Sequence, residues 1–300
     1  MTIEQETTIL VTGATGNIGT ELIKQLSVHD EGRNVRVRAA IRSINKAAKI
    51  KSSGVELVEI DYAKPATLSE AFNGVDKLFL NTPFQPDLAE LTSNMVAEAA
   101  KSGRVEHIVK LSVLGAETEP SITMSRLHRQ AEKRIEESGI AFTFLRASGF
   151  MQNFVNFFGN SIKSKGVFYV PAGDGKLSFV DVRDIAAVGV KVLTDNQGGR
   201  YKGKAYPITG PEALSYGEAA EILSREVGKK ISYVDIAEES ARKGLKEIGM
   251  DDWFINSLME LYAIVRAGYT SDLSSAVEEL TGKKPISFSQ FATDYADSFK

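Results

Sequence analysis

Six short apolar runs separated by amphipathic stretches, with a glycine-rich turn leading from the first run into a helical pattern, predict an α/β fold. The expected architecture is a Rossmann-type, doubly wound parallel sheet followed by a smaller, mainly helical C-terminal region. The runs are Ile9-Leu10-Val11, Val35–Ile41, Val55–Ile60, Lys77–Leu80, His107–Leu111 and Phe142–Leu145. Strands joined by helical crossovers pair in parallel, because a crossover returns the chain to the same end of the sheet. Between the first two runs, Ile18, Leu22, Ile23 and Leu26 recur at helical spacing and turn one apolar face toward the sheet. After Leu145 comes an aromatic, helix-like run from Phe150 to Phe158. Gly166–Val170 and Leu177–Val180, joined by Ala172-Gly173-Asp174-Gly175, read as a hairpin. Asp181 and Asp184 stand at capping spacing before Ile185–Leu193, and Ala205–Ile208 reads as a further strand. From Ser215 onward helical patterns dominate, at Ala219–Val227, Glu238–Ile248, Trp253–Val265 and Phe288–Phe299, with Ile231–Ile236 a candidate strand. The expected organisation is a dinucleotide-binding domain over residues 1–150 and a substrate-facing region over 151–300, of which about 177–210 returns to the sheet.

Composition narrows the function. The 300 residues, 43% hydrophobic and 25% charged, suffice for a sizeable core. Cysteine is absent, which excludes a disulfide framework, a thiolate nucleophile and a cysteine-rich metal site, and fits a cytoplasmic location. The opening MTIEQETT has no basic segment followed by an apolar stretch, and no apolar run approaches the roughly 18 residues of a membrane span, so neither export nor insertion is expected. A formal charge of −3 leaves no general basic field for a phosphate backbone, which disfavours nucleic acid as a partner. His29 and His107 join no ligand constellation, so no metal is expected. The expected partner is a small molecule, and the sequence sets no oligomeric state.

The first run is followed by Thr12-Gly13-Ala14-Thr15-Gly16-Asn17-Ile18-Gly19. Three glycines at this spacing serve a tight turn, close approach of backbone to a pyrophosphate, and packing of helix on strand. The helix N-terminus adds free N–H donors and a positive dipole end. Gly13, Thr15, Gly16, Asn17, Ile18 and Gly19 are therefore candidate cofactor-binding residues. An acidic residue at the end of the second strand would bind the ribose hydroxyls of NAD. Here that stretch reads Ala39-Ala40-Ile41-Arg42-Ser43-Ile44-Asn45-Lys46, without an acid. Arg42 and Lys46 flank the start of the next helical pattern, where cations oppose the helix dipole and a bound phosphate removes the conflict. The planar guanidinium makes Arg42 the stronger candidate, so NADPH is expected over NADH. A solvated basic turn is the alternative reading of the same residues.

The glycine loop, Arg42 and the run Phe144-Leu145-Arg146-Ala147-Ser148-Gly149-Phe150-Met151-Gln152-Asn153 together resemble the NmrA-like branch of the atypical short-chain dehydrogenases. The resemblance spans almost the whole chain. Within that branch the sequence is most similar to type 2 quinone oxidoreductases and triphenylmethane reductases, which share a His-x-x-x-Glu pattern upstream of the sixth strand, here His128 and Glu132. The resemblance implies a nicotinamide end near Asn81-Thr82-Pro83 and Ala147, Ser148, Gly149 and Phe150 through Gln152, with Asp61 and Tyr62 flanking the adenine. The Tyr-x-x-x-Lys pair of ordinary short-chain dehydrogenases is missing: family spacing places Met124 at the tyrosine and His128 at the lysine.

That loss disfavours alcohol–ketone chemistry and favours hydride transfer from NADPH to a quinone-like or other conjugated acceptor, whose anion is delocalised. His128 is the candidate proton donor, or a helix-face histidine bonded to Glu132 at i+4. Ser112 lies where the superfamily places a catalytic serine or threonine, or is an exposed strand-end residue. Phe150, Asn153 and Phe154, with Trp253 from the helical region, are the substrate-binding candidates; the aromatics wall a flat pocket or simply pack in a core. The alternative function, by resemblance to regulatory NmrA proteins, is a non-catalytic NADP-binding redox sensor acting through a protein partner.

Overall fold

Every apolar run of the first half is a strand in the computed structural model, which describes residues 6–28, 35–43, 50, 54–62, 64–119, 121–195 and 199–300. The chain begins with β1 (Thr7–Val11), α1 (Asn17–Val28), β2 (Val35–Ile41), β3 (Val55–Glu59), α2 (Pro65–Phe72), β4 (Lys77–Leu80), α3 (Leu88–Ser102), β5 (His107–Val113), α4 (Thr123–Glu136) and β6 (Ala141–Ala147). It continues through α5 (Gly159–Lys165), β7 (Val167–Val170), β8 (Lys176–Leu177), α6 (Val182–Leu193) and β9 (Lys204–Ile208). Then come β10 (Leu214–Ser215), α7 (Tyr216–Val227), β11 (Ser232–Asp235), α8 (Glu238–Glu247), α9 (Asp252–Arg266), α10 (Ala276–Thr281) and α11 (Phe288–Asp294).

Seven strands form one sheet in the order β3-β2-β1-β4-β5-β6-β9. The pairs β1 with β2, β2 with β3, β1 with β4 and β4 with β5 are all parallel. The direction of winding reverses between β1 and β4, which creates a switch point at their carboxyl ends. The apolar stripe of α1 behaves as its spacing predicts, with Ile18, Leu22, Ile23 and Leu26 buried. Each such side chain contributes roughly 1.5–3 kcal/mol when removed from water.

The chain divides into two compact units. The first comprises residues 1–118, 125–146 and 185–206, and the second residues 119–124, 147–184 and 207–300. The core of the first is built on strand residues such as Leu10, Leu78, Leu80, Ile108 and Phe144, against Leu68 and Phe72 of α2 and Met95 of α3. The second is organised around aromatic rings. Phe154 is wholly buried, with ring centroids 4.9 Å from Phe288, 5.3 Å from Phe179, 5.6 Å from Phe168 and 5.8 Å from Tyr216. It is therefore a core residue, the second of the two readings open for the aromatics, and not a substrate-binding residue on a pocket wall. Its segment, Phe154–Phe158, is a π-helical turn, whose wider repeat leaves Phe157 exposed while Phe154 points inward.

The expected hairpin between β7 and β8 is not formed. β7 pairs in parallel with β11, Val167 opposite Ser232 through Val170 opposite Asp235, and β8 pairs antiparallel with β10. The turn after β7 is held to β11: Gly173 N–H donates to Asp235 at 2.9 Å, and the Tyr233 hydroxyl lies 3.0 Å from the carbonyl of Val170 and 3.1 Å from that of Gly173. These contacts stop the glycine turn from folding β8 back on β7. The six-residue α10, absent from the sequence reading, is too short to express a helical period. Among the described residues no helix is long and apolar enough to cross a membrane, and no cluster of His, Cys, Asp and Glu is arranged to hold a metal ion.

Asp184 begins α6 and accepts the Ile286 N–H at 2.8 Å. Burial, helped by the charge of Asp181, pushes its carboxyl up from 3.8 to about 6. A raised carboxyl pKa makes the ionised folded state costly, so stability is lost as pH rises from about 4 through about 6. Asp184→Asn keeps an acceptor for Ile286 and removes the charge. Its stability relative to the parent, from urea melts, should improve by on the order of 2 kcal/mol between pH 4 and pH 7.

Candidate active site

The switch point is fixed by one threonine. Thr12, at the end of β1, donates its N–H to Phe79 O at 3.0 Å, and its hydroxyl accepts the Asn81 N–H at 2.8 Å. Tyr62, buried beyond β3, donates its hydroxyl to Asn81 O at 3.1 Å. Tyr62 thus supports the loop after β4 from within the core, while Asp61 beside it is half-exposed and paired with Lys64 at 3.0 Å.

The three glycines divide their labour. Gly13 has φ of +62°, and a Cβ there would also come within 2.8 Å of Asn81 Nδ2. At Gly19 a Cβ would stand 2.3 Å from Gly13 O, so α1 packs directly on the loop backbone only because this residue has no side chain. Gly16 is different: its Cβ would meet only Gly13 O, at 3.3 Å. Its outer side is open, together with the exposed Thr15 and Asn17, at the first turn of α1, where N–H groups have no intrahelical acceptor. Ile18, expected among the binding residues, is buried, so only its backbone faces that opening.

Arg42 follows β2 directly, is exposed, and lies close enough to Tyr62 for its charge to act on the phenol. Among the described residues no carboxylate forms an ion pair with it. Lys46 and His29 lie outside the described residues.

Behind the loop after β4 is a buried polar cluster that periodicity gives no hint of. Lys110 and Ser112 alternate along β5, point toward α4, and are 0% and 1% exposed. Glu132 of α4, also fully buried, accepts from Ser112 Oγ at 2.7 Å, Arg129 Nη1 at 3.1 Å, and Arg146 Nε and Nη2 at 3.0 and 2.8 Å. Glu117 takes a further bond from Arg146 at 2.7 Å. The carboxylate of Glu132 is therefore satisfied by three side chains, and His128 is not among them. Ser112 is neither an exposed strand end nor a free catalytic hydroxyl, because its proton is committed to Glu132.

His128 is buried, stacks on Phe84 with centroids 6.5 Å apart, and has no hydrogen-bond partner at Nδ1 among the described residues. Desolvation, reinforced by the charge of Lys110, holds its pKa well below 6.5. It is a neutral imidazole near pH 7, which removes the imidazolium donor expected from the sequence. Lys110 extends from β5 to within 3.4 Å of Thr82 Oγ1 and 3.0 Å of Leu111 O. Burial brings it down to about 8, an effect the charge of Glu132 only partly offsets. The sequence did carry a signal for it, a lysine inside the otherwise apolar run Ile108-Val109-Lys110-Leu111. A charge in a strand buried on both faces requires a partner.

The segment after β6 belongs to the second unit. Ala147 and Ser148 are buried, the Ser148 hydroxyl lying 3.1 Å from that of Ser178, whereas Gly149, Phe150 and Asn153 are half-buried. Gln152 accepts the Val182 N–H through Oε1 at 3.0 Å and leaves a buried Nε2 without a partner. Trp253, in the first turn of α9, is half-buried. His107 has no part in this site: it starts β5, bonds Thr143 at 2.9 Å, and is held down to about 4, chiefly by burial.

Known proteins share both the sequence pattern and the fold. The chain is 35% identical to an NAD(P)H azoreductase of Xenophilus azovorans over 97% of its own length and 99% of that protein's. The Citrobacter sp. triphenylmethane reductase, solved with NADP(H), superposes with a TM-score of 0.83 at 28% identity, covering 96% of this chain and 99% of that one. The NADPH-dependent quinone oxidoreductase of Escherichia coli, solved with NADPH, also gives a TM-score of 0.83 at 28% identity, covering 95% and 99%. With the NmrA-like family model matched from residue 5 to residue 292, this chain belongs to the NmrA-like family.

Proposed function

We propose that the protein is an NADPH-dependent reductase that passes hydride to a quinone-like or other conjugated small molecule. Arg42 is the observation that carries the cofactor half of this reading. It is an exposed guanidinium without an acidic partner among the described residues, placed after β2 where a 2′-phosphate would lie. The loop fits the rest of the dinucleotide. Gly16 leaves its outer side open to a diphosphate, and the free N–H groups of α1 with its dipole favour the negative charge. Asp61 stands near the adenine end in this reading, Lys46 adds a second cation, and Asn81, Thr82, Pro83 and Ala147 through Phe150 stand at the nicotinamide end.

The reduced nicotinamide, when bound, supplies the hydride. The chain's own residues hold and orient it, and Met124, which the resemblance places where ordinary short-chain dehydrogenases have their tyrosine, cannot protonate an alkoxide. Acceptors that delocalise the resulting charge have least need of one. The relatives act, by their names, on azo compounds and quinones, whose hydride adducts are stabilised anions, and on triphenylmethane dyes, which are cations that a hydride neutralises without any proton. Phe150, Asn153 and Trp253, each half-buried, are the substrate-facing candidates.

Two substitutions separate the parts of the cofactor reading. Gly16→Val places a branched side chain where the diphosphate approaches and should abolish binding of NADPH and NADH alike in calorimetric titrations. Arg42→Ala should weaken NADPH by roughly 10- to 100-fold, the worth of one or two bonds to a charged group, and leave NADH within about threefold. Equal losses for both nucleotides would remove Arg42 from the phosphate. Turnover is tested by following NADPH oxidation with quinones, azo dyes and triphenylmethane dyes. Acceptor-dependent oxidation favouring NADPH is expected; tight binding without turnover across all three classes would replace the reductase with a redox sensor.

A further inference from the structure

We infer that Lys110 is the proton reserve of this site and works through the hydroxyl of Thr82. The inference rests on the reductase reading above and supplies what that reading lacks, a source for the proton that follows the hydride. Three observations carry it. Thr82 comes directly after β4 at the switch point, next to Asn81, which Thr12 clamps. Its oxygen accepts from Lys110 Nζ, and among the described residues its own O–H proton has no acceptor. Lys110 is fully enclosed by protein, so Thr82 is its polar outlet toward the carboxyl ends of the strands. A buried ammonium donating to a hydroxyl makes that hydroxyl a stronger acid, the same service a lysine gives the tyrosine in the missing Tyr-x-x-x-Lys pair. The difference is that the cation comes from β5 and not from α4.

The balance is complete. Hydride transfer to a neutral acceptor, a quinone or an azo compound, would exchange one C–H bond of the bound dihydronicotinamide for a new bond to hydrogen on the acceptor and leave that acceptor with one negative charge. The Thr82 O–H bond then breaks as its proton passes to the acceptor's oxygen or nitrogen. Lys110 returns a proton to the Thr82 oxygen, becomes a neutral amine, and is recharged from water back through the Thr82 hydroxyl once the product has left. The cationic form is the competent one, and its pKa of about 8 keeps it populated at neutral pH while making proton release easy. The ionisable groups facing it are Glu132 and His128 of α4, with Arg146 of β6 beyond Glu132. His128 is neutral, so Glu132 is the carboxylate that holds the ammonium charged.

Lys110→Met and Thr82→Val test the inference, with full-length protein carrying 13C-labelled lysine. In the parent, the resonance that disappears in Lys110→Met should titrate near 8, and kcat should fall as pH rises through the same range. With a quinone as acceptor, Lys110→Met should keep NADPH affinity within about threefold, and both variants should lose at least tenfold in kcat and show no decline in kcat near pH 8. Thr82→Val should still show the lysine titrating. A Lys110 resonance titrating near 10.5 overturns the inference, as does a Lys110→Met variant with parental kcat or with lower kcat and an unchanged pH profile. If the parent itself turns over no acceptor, the reductase reading fails and this one with it; parental turnover that survives both substitutions overturns this one alone.

Discussion

The site depends on the separation of the chain paths leaving β1 and β4. The two strands are hydrogen-bonded neighbours, yet their connections run to opposite sides of the sheet, so a crevice must open at their carboxyl ends. Thr12 holds the two strand ends together across this opening, and Tyr62 braces Asn81 from the core. Gly13 and Gly19 allow the loop to lie flat between strand and helix, since a side chain at either would collide with Asn81 or with the loop itself. Once that backbone is set, the direction of α1 and the exposure of Gly16 follow without further instruction. In the reading proposed above, the negative ligand is then drawn by uncommitted N–H groups and by Arg42.

A second constraint lies beneath the first. The cluster of Lys110, Ser112, Glu132 and Arg146 between the sheet and α4 buries charges that would be destabilising singly. It is tolerated because Glu132 collects four donor bonds from three side chains and lies beside the Lys110 ammonium. Such a network fixes the register of α4 on β5 and β6, because slipping α4 by one residue would carry Glu132 away from Ser112 and Arg146, its donors on the sheet. The same network keeps an ammonium in an apolar setting next to the loop that follows β4. In the proton-reserve proposal, stability and chemistry thus draw on one set of residues: Glu132 holds both the helix and the charge.

The features legible in the sequence were local. The glycine loop is read from eight consecutive residues, and the apolar stripe of α1 from its own period, because each is decided by neighbours within one or two turns. The exposed place of Arg42 directly after β2 is local in the same sense. What the sequence hid was decided by distant partners. β7 found its partner in β11, more than 60 residues later, so a glycine turn that reads as a hairpin serves another purpose. Phe154 is drawn inward by Phe168, Phe179, Tyr216 and Phe288, none of which its own helical spacing could reveal. His128 and Glu132 have the spacing of an i+4 pair, but Glu132 is taken by Arg146 and Ser112 from the sheet, and His128 is left to stack on Phe84. Lys110 was overlooked because its neighbours in the run are apolar, although a lysine in such a strand is itself the clue.

The crystal structure of the protein with NADPH bound would test the central claim most directly, because that claim is geometric. The account predicts the diphosphate over Gly16 at the first turn of α1, the 2′-phosphate on the guanidinium of Arg42, and the nicotinamide at the Asn81-Thr82 end of the crevice. A 2′-phosphate beyond the reach of Arg42, or a dinucleotide seated away from the carboxyl ends of β1 and β4, would contradict it.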